Sequence, residues 1–183
     1  IKNMSVYTQD IGSGNGDARG ITSNGTYIWM TDNTDREVYK YWLNGTYINS
    51  FDTNAAGAAS PWGITNNATH LFITEYTDDL VYIYLMNGTY VSSFNIAPTG
   101  VTNSRGITTN GTYFWITDLG TDKVYQFLVN GTNTTFSFDT GASGNGDPSG
   151  ITQNGTYFWI TDFTDDLIYR YYMNGTYDTS FDT

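Results

Sequence analysis

Four carboxylates recur along this chain at a nearly constant spacing: Asp32, Glu75, Asp118 and Asp162. Further acids crowd behind them at Asp35, Asp78, Asp79, Asp122, Asp165 and Asp166, with Asp17 and Asp147 in other loops. Hard oxygen donors drawn from several such segments suit Ca²⁺. Asp in a tight turn also suits hydrogen bonding to its own backbone. Asp32, Glu75, Asp118 and Asp162 are therefore candidate metal ligands with a structural alternative, and their spacing is not that of an EF-hand loop.

A second set of residues repeats on a different register. Asn24, Asn44, Asn67, Asn87, Asn110, Asn130, Asn154 and Asn174 are each followed two residues later by Thr. That triplet is the acceptor for N-linked glycans. Asn133-Thr134-Thr135 and Asn3-Met4-Ser5 add two more. Most of these Asn residues precede Gly, and Asn-Gly is also the favoured centre of a tight hairpin. At Asn67-Ala68-Thr69 the Gly is gone while Asn and Thr stay, which favours the glycan reading over a pure turn constraint. Glycosylation would place the chain outside the cell or on its surface.

Other chemistry is scarce. His70 is the single histidine and there is no cysteine, which leaves no material for a catalytic triad, a thiolate zinc site or disulfides. The pieces Gly12-Ser13-Gly14 and Gly144-Asn145-Gly146 lack the following helix that a phosphate-binding loop needs, and read as flexible connectors. Carboxylates recur in every unit, and repetition points to structure rather than one tuned active site. Arg19 and Arg105 could neutralise part of the acidic set. Trp29, Trp115 and Trp159 occupy matching positions and read as core, whereas Trp62 occurs in one unit only and is the better exposed aromatic.

The elements that must position these residues are written as repeats. Gly-Ile-Thr begins at Gly20, Gly63, Gly106 and Gly150, steps of 43, 43 and 44 residues. Each unit reads as four short strands: Gly-Ile-Thr itself, then Tyr27–Thr31, Val38–Trp42 and Tyr47–Phe51 in the first copy. Asn-Gly joins the first strand to the second and the third to the fourth, while an acidic turn joins the second to the third. Antiparallel order then puts every Asn turn at one end of the unit and the acidic loops at the other. The units run 20–62, 63–105, 106–149 and 150–183, and residues 1–19 hold a surplus strand at Met4–Asp10 followed by a loop. That strand reads as an edge for pairing with a neighbouring molecule, as part of a longer array, or simply as a frayed end. The chain opens at Ile1 inside a repeat-like segment, as a processed chain or a segment of a longer one would.

Bulk properties agree. The 183 residues are 39% hydrophobic and 17% aromatic, enough for one domain with a core. A net charge of -11 argues against a nucleic-acid partner. No apolar run approaches the ~18 residues of a membrane span.

Four antiparallel strands per ~43 residues is the size of a β-propeller blade. The units resemble the NHL and YVTN propeller repeats through Pro61-Trp62-Gly63-Ile64, Trp115-Ile116-Thr117-Asp118, the Val-Tyr-x-Tyr strands and the Asn-Gly-Thr-Tyr-x-x-Ser-Phe ending. That resemblance implies an all-β propeller of four blades, where the family usually has six or more. It covers residues 20–183, and the Asn-Arg pair usual after the second strand survives only as Asp35-Arg36. Such a fold hosts many functions. The expectation is a non-catalytic, N-glycosylated extracellular scaffold that self-assembles into a surface array or filament. The alternatives are an extracellular module binding a ligand or Ca²⁺ at the acidic face, and a lactonase- or lyase-like enzyme.

Overall fold

In a computed structural model each repeat folds as one four-stranded antiparallel sheet. The structure describes residues 16–182, so the expected strand at Met4–Asp10 and the sequon at Asn3 lie outside the described residues. The first blade holds β1 (Ala18–Ser23), β2 (Tyr27–Asp32), β3 (Glu37–Trp42) and β4 (Tyr47–Asp52). The second holds β5 (Pro61–Asn66), β6 (His70–Glu75), β7 (Leu80–Leu85) and β8 (Tyr90–Asn95). β9 (Ser104–Thr109), β10 (Tyr113–Asp118), β11 (Lys123–Leu128) and β12 (Asn133–Asp139) form the third. The fourth is β13 (Pro148–Gln153), β14 (Tyr157–Asp162), β15 (Leu167–Tyr172) and β16 (Tyr177–Asp182). Strands pair in chain order within every blade, so each blade is a meander.

The four first strands face a common axis, as in a β-propeller. β1 packs on β5, β5 on β9 and β9 on β13. Alternation decides which residues serve which neighbour. One face of each blade presents Trp29, Phe72 or Trp115 together with Val38, Val81 or Val124, and all six are buried. The opposite face of the next blade answers with Leu71, Phe114 or Phe158 and Ile73, Ile116 or Ile160, also buried. The core is thus three apolar layers between blades rather than one central mass.

The glycine of each Gly-Ile-Thr sets how close the blades come. A Cβ on Gly20 would lie 2.5 Å from the Trp62 carbonyl oxygen, on Gly63 2.3 Å from that of Arg105, and on Gly106 2.2 Å from that of Ser149. Only a residue without a side chain permits that backbone approach. The second-strand threonine then locks it. Thr31 donates its hydroxyl to the Trp62 carbonyl at 2.5 Å, Thr74 to Arg105, and Thr117 to Ser149 at 2.6 Å. Each threonine oxygen also accepts from the glycine N–H of its own blade at 2.8 Å. On the outer side, the third-to-fourth-strand turns place Gly88, Gly131 and Gly175 against the rings of Phe51, Phe94 and Phe138 of the preceding blade.

The long loops between blades carry more order than their Gly-rich composition predicts. Short 3₁₀ turns at Asn54–Ala56, Ala97–Thr99 and Gly141–Ser143 end on left-handed Gly57, Gly100 and Gly144. Thr53, Ile96 and Thr140 anchor these loops in buried positions. The Gly144-Asn145-Gly146 piece is consequently a fixed corner with Asn145 fully buried, not a flexible connector.

The threonine lock yields a direct test. Thr117 is fully buried, so Thr117→Val leaves the Ser149 carbonyl and the Gly106 N–H unpaired. The expected cost is about 1–3 kcal/mol of unfolding free energy. Thr161, its counterpart in the last blade, is exposed, and Thr161→Val should shift the urea midpoint by much less.

Candidate functional site

Three places in this architecture bring functional side chains together: a rim of Asn turns, a rim of carboxylates, and the axis. The Asn rim comes first because it holds most of the expected sites. Asn24, Asn44, Asn67, Asn87, Asn110, Asn130, Asn154, Asn174 and Asn133 are all exposed. In the eight hairpin turns the Asn Oδ1 accepts the N–H of the Thr two residues on, at 3.0–3.2 Å. Thr135 donates likewise to Asn133 at 2.7 Å. The side chain therefore builds its turn with Oδ1 and leaves Nδ2 outside it.

Ala68 adopts φ +72°, so the Asn67 turn keeps its left-handed residue without glycine. The neighbours explain the tolerance. A Cβ on Gly25, Gly111 or Gly155 meets nothing within 4 Å, whereas one on Gly88, Gly131 or Gly175 would strike a Phe ring. Glycine can be lost from the first turn of a blade but not from the second.

The carboxylate rim is organised blade by blade. Asp32 accepts the N–H groups of Asp17 and Asp35 at 2.8 Å each. Asp118 accepts from Thr102 and Asn103, and from the Thr121 hydroxyl at 2.6 Å. Asp162 accepts from Asp147, Thr164 and Asp165. In the second blade Glu75 Oε2 accepts from Thr77 and Asp78. These groups staple the inter-blade loop or the acidic turn to the end of the second strand. Among the described residues, no three or more His, Asp or Glu side chains gather around one point as metal ligands would.

Glu75 is the exception in length and in electrostatics. Its Oε1 is buried without a hydrogen-bond partner. Burial pushes its carboxyl above the usual carboxylate range and Asp78 adds repulsion, while the N–H groups of Asp78 and Thr77 pull against them. Asp79 is raised as well, first by burial and then by Asp118 and Asp78, although the Ser104 N–H offsets part of this across the blade boundary at 3.1 Å. Burial also raises Asp122, helped by Asp139 and Asp147.

The axis carries residues that differ from blade to blade. A register irregularity in each first strand spans the position just before its glycine, which holds Arg19, Trp62, Arg105 and Ser149 in turn. Arg19, Trp62 and Ser149 line a cavity of about 440 Å³ among the four first strands, with Trp159, Thr161 and Ile168 on its fourth-blade side. Two guanidinium groups lie over Trp62: Arg19 at 4.2 Å and Arg105 at 4.8 Å from the ring centroid. Tyr76 stacks on Trp62 at 5.1 Å, and Phe163 lies 5.6 Å from Arg105. Arg19 is paired with Asp17 at 2.8 Å. Arg105 is 9% exposed, and its Nε and Nη1 are buried without a hydrogen-bond partner among the described residues. Trp29 and Trp115 are core, as expected, but Trp159 is half-buried at the cavity wall. His70 stands apart from the axis, in the Asn67 turn beside the Thr69 hydroxyl at 2.8 Å.

With this geometry the chain matches many solved structures. The fold is that of the NHL- and YVTN-type β-propellers. A streptogramin B lyase aligns with a TM-score of 0.67 at 18% identity over 92% of this chain. A nidogen/laminin complex gives 0.72 at 19% over 93%, and Myxococcus xanthus glutaminyl cyclase 0.64 at 13% over 79%. The chain spans 55%, 65% and 67% of those structures respectively. A matched Staphylococcus aureus virginiamycin B lyase, with quinupristin, is a catalytically inactive variant in which a histidine is replaced by alanine. No protein-family model and no curated protein matches the sequence. At these identities the likeness establishes the fold.

The Glu75 environment has a pH signature. A carboxyl raised in the fold contributes stability that is complete below its unfolded value and lost as pH climbs through the raised folded value. Glu75→Gln keeps an oxygen for the Thr77 and Asp78 N–H groups and removes the buried charge. As pH rises above the ordinary carboxylate range, urea midpoints of the variant should fall less steeply than those of the parent.

Proposed function

We propose that this chain is a non-catalytic, N-glycosylated propeller scaffold that works outside the cell or on its surface and associates with copies of itself. The supporting observation is the Asn rim: nine described sequons, every Asn exposed, with Oδ1 spent on the turn and Nδ2 open to modification. The carboxylates support a structural role, since Asp32, Asp118 and Asp162 each accept two or three donors from the adjoining inter-blade loop and acidic turn. The single histidine sits away from the axial cavity. No helix among the described residues is long and apolar enough to cross a membrane.

A second reading, an extracellular module binding a small anion at the axis, draws on one observation. Among the described residues the Arg105 guanidinium is nearly buried yet has no carboxylate partner, and Trp62 beside it would report an arriving ligand. Under that reading small carboxylates should perturb Trp62 fluorescence saturably, and Arg105→Met should abolish the response. Calcium suits the geometry less well, because the four rim carboxylates belong to separate blades and are already engaged.

Glycosylation is tested by secretion from a host that attaches N-glycans, followed by intact mass and peptide mapping before and after enzymatic glycan removal. The expected result is glycan on most of the eight turn Asn residues, each read as Asp after removal. Bare Asn at all of them would end the proposal.

A further inference from the structure

Among the described residues the first and fourth blades carry the two halves of the seam that already joins neighbouring blades, and Ile21, Trp159, Thr161 and Ile168 of those halves line the axial cavity. Each internal seam pairs a glycine, a threonine hydroxyl, a Trp or Phe with a Val, and an outer Phe on one blade with a carbonyl, an apolar strand face and a turn glycine on the next. The fourth blade has the complete first half. A Cβ on Gly150 would meet only its own Thr161 Oγ1 at 3.1 Å, with no neighbouring backbone. Thr161 accepts from the Gly150 N–H at 2.8 Å, but among the described residues its hydroxyl reaches no carbonyl of another blade. Trp159 and Ile168 are only half-buried, and Phe181 is 45% exposed where Phe138 is 9% exposed.

The first blade has the complete second half. Its Arg19 carbonyl corresponds to those of Trp62, Arg105 and Ser149, which receive the threonine hydroxyls. Ile21 is 64% exposed where its counterparts Ile64 and Ile107 are 4% exposed. Ile28 and Met30 are half-buried where Leu71 and Ile73 are buried. Gly45, left-handed like Gly88, stands where a preceding Phe would pack.

We infer that the fourth blade of one copy docks on the first blade of a second copy through a fourth instance of this seam. Thr161 and Gly150 then meet the partner's Arg19 carbonyl, and Phe181 lies under the partner's Gly45 turn. The inference rests on the self-association part of the reading above and replaces strand-edge pairing with face-to-face packing. Continuity with an established interface identifies the occupant, since the three internal seams are the same contact between the same residue types. Such a contact is head-to-tail: it closes a ring if the rotation allows and otherwise grows a filament.

The test uses the full chain in sedimentation velocity across a concentration series. Gly150→Ala places a methyl against the incoming backbone but meets only Thr161 within its own chain, and Ile21→Asp blocks the other face at an exposed position. The parent should associate. Each variant alone should weaken association at least about tenfold while keeping the parent's circular dichroism. Mixing the two variants should restore a single heterodimer, because each keeps the face that the other has lost. A parent that stays monomeric throughout overturns both this interface and the self-association reading, and leaves the glycosylation result unaffected. A parent that associates while both variants match it overturns this interface alone.

Discussion

The close approach of the inner strand of one blade to the carbonyl backbone of the next sets the terms for everything else. Gly20, Gly63 and Gly106 allow it, since a Cβ at any of them would sit 2.2–2.5 Å from a carbonyl oxygen. Once the strands are that near, a single threonine hydroxyl spans the seam, and Trp29, Phe72 and Trp115 reach the apolar wall opposite. Burial of those layers supplies the driving force, and the glycine and threonine fix its register. No blade hides both of its faces alone, which is why the chain repeats.

Because the layers are consumed by blade packing, function is left to the two rims and the axis. The rims differ in kind. Asn side chains spend Oδ1 on the turn and leave Nδ2 outside it. The carboxylates are committed to backbone donors, and Glu75, a methylene longer, is the one that leaves an oxygen unpaired in the interior. At the axis the pattern reverses: the repeat stops repeating, and Arg19, Trp62, Arg105 and Ser149 stand at one structural position.

Much of this was legible in the sequence. Strand number, order and the opposition of the two rims follow from the period and the Asn-Gly turns. Residue-by-residue correspondence also placed Trp29 and Trp115 in the core. Other features were not legible for physical reasons. Gly-Ile-Thr reads as a short strand because periodicity reports which way a side chain points, not which backbone it nearly touches. The loops after the fourth strands look mobile by composition, yet buried Thr53, Ile96 and Thr140 pin them. Trp159 matches Trp29 letter for letter, yet among the described residues no blade packs over it as the second blade packs over Trp29. The axial group had a detectable signal, the single variable position ahead of an otherwise constant triplet.

The central claim is that one seam, built from glycine, threonine and an aromatic layer, is used within the chain and again at its ends. A high-resolution structure of the associated species tests it most directly. The account predicts a fourth blade facing the partner's first blade, with the Thr161 hydroxyl within hydrogen-bond distance of the partner's Arg19 carbonyl. Copies joined instead through their outermost strands, or a monomer whose Thr161 reaches its own Arg19, would contradict it.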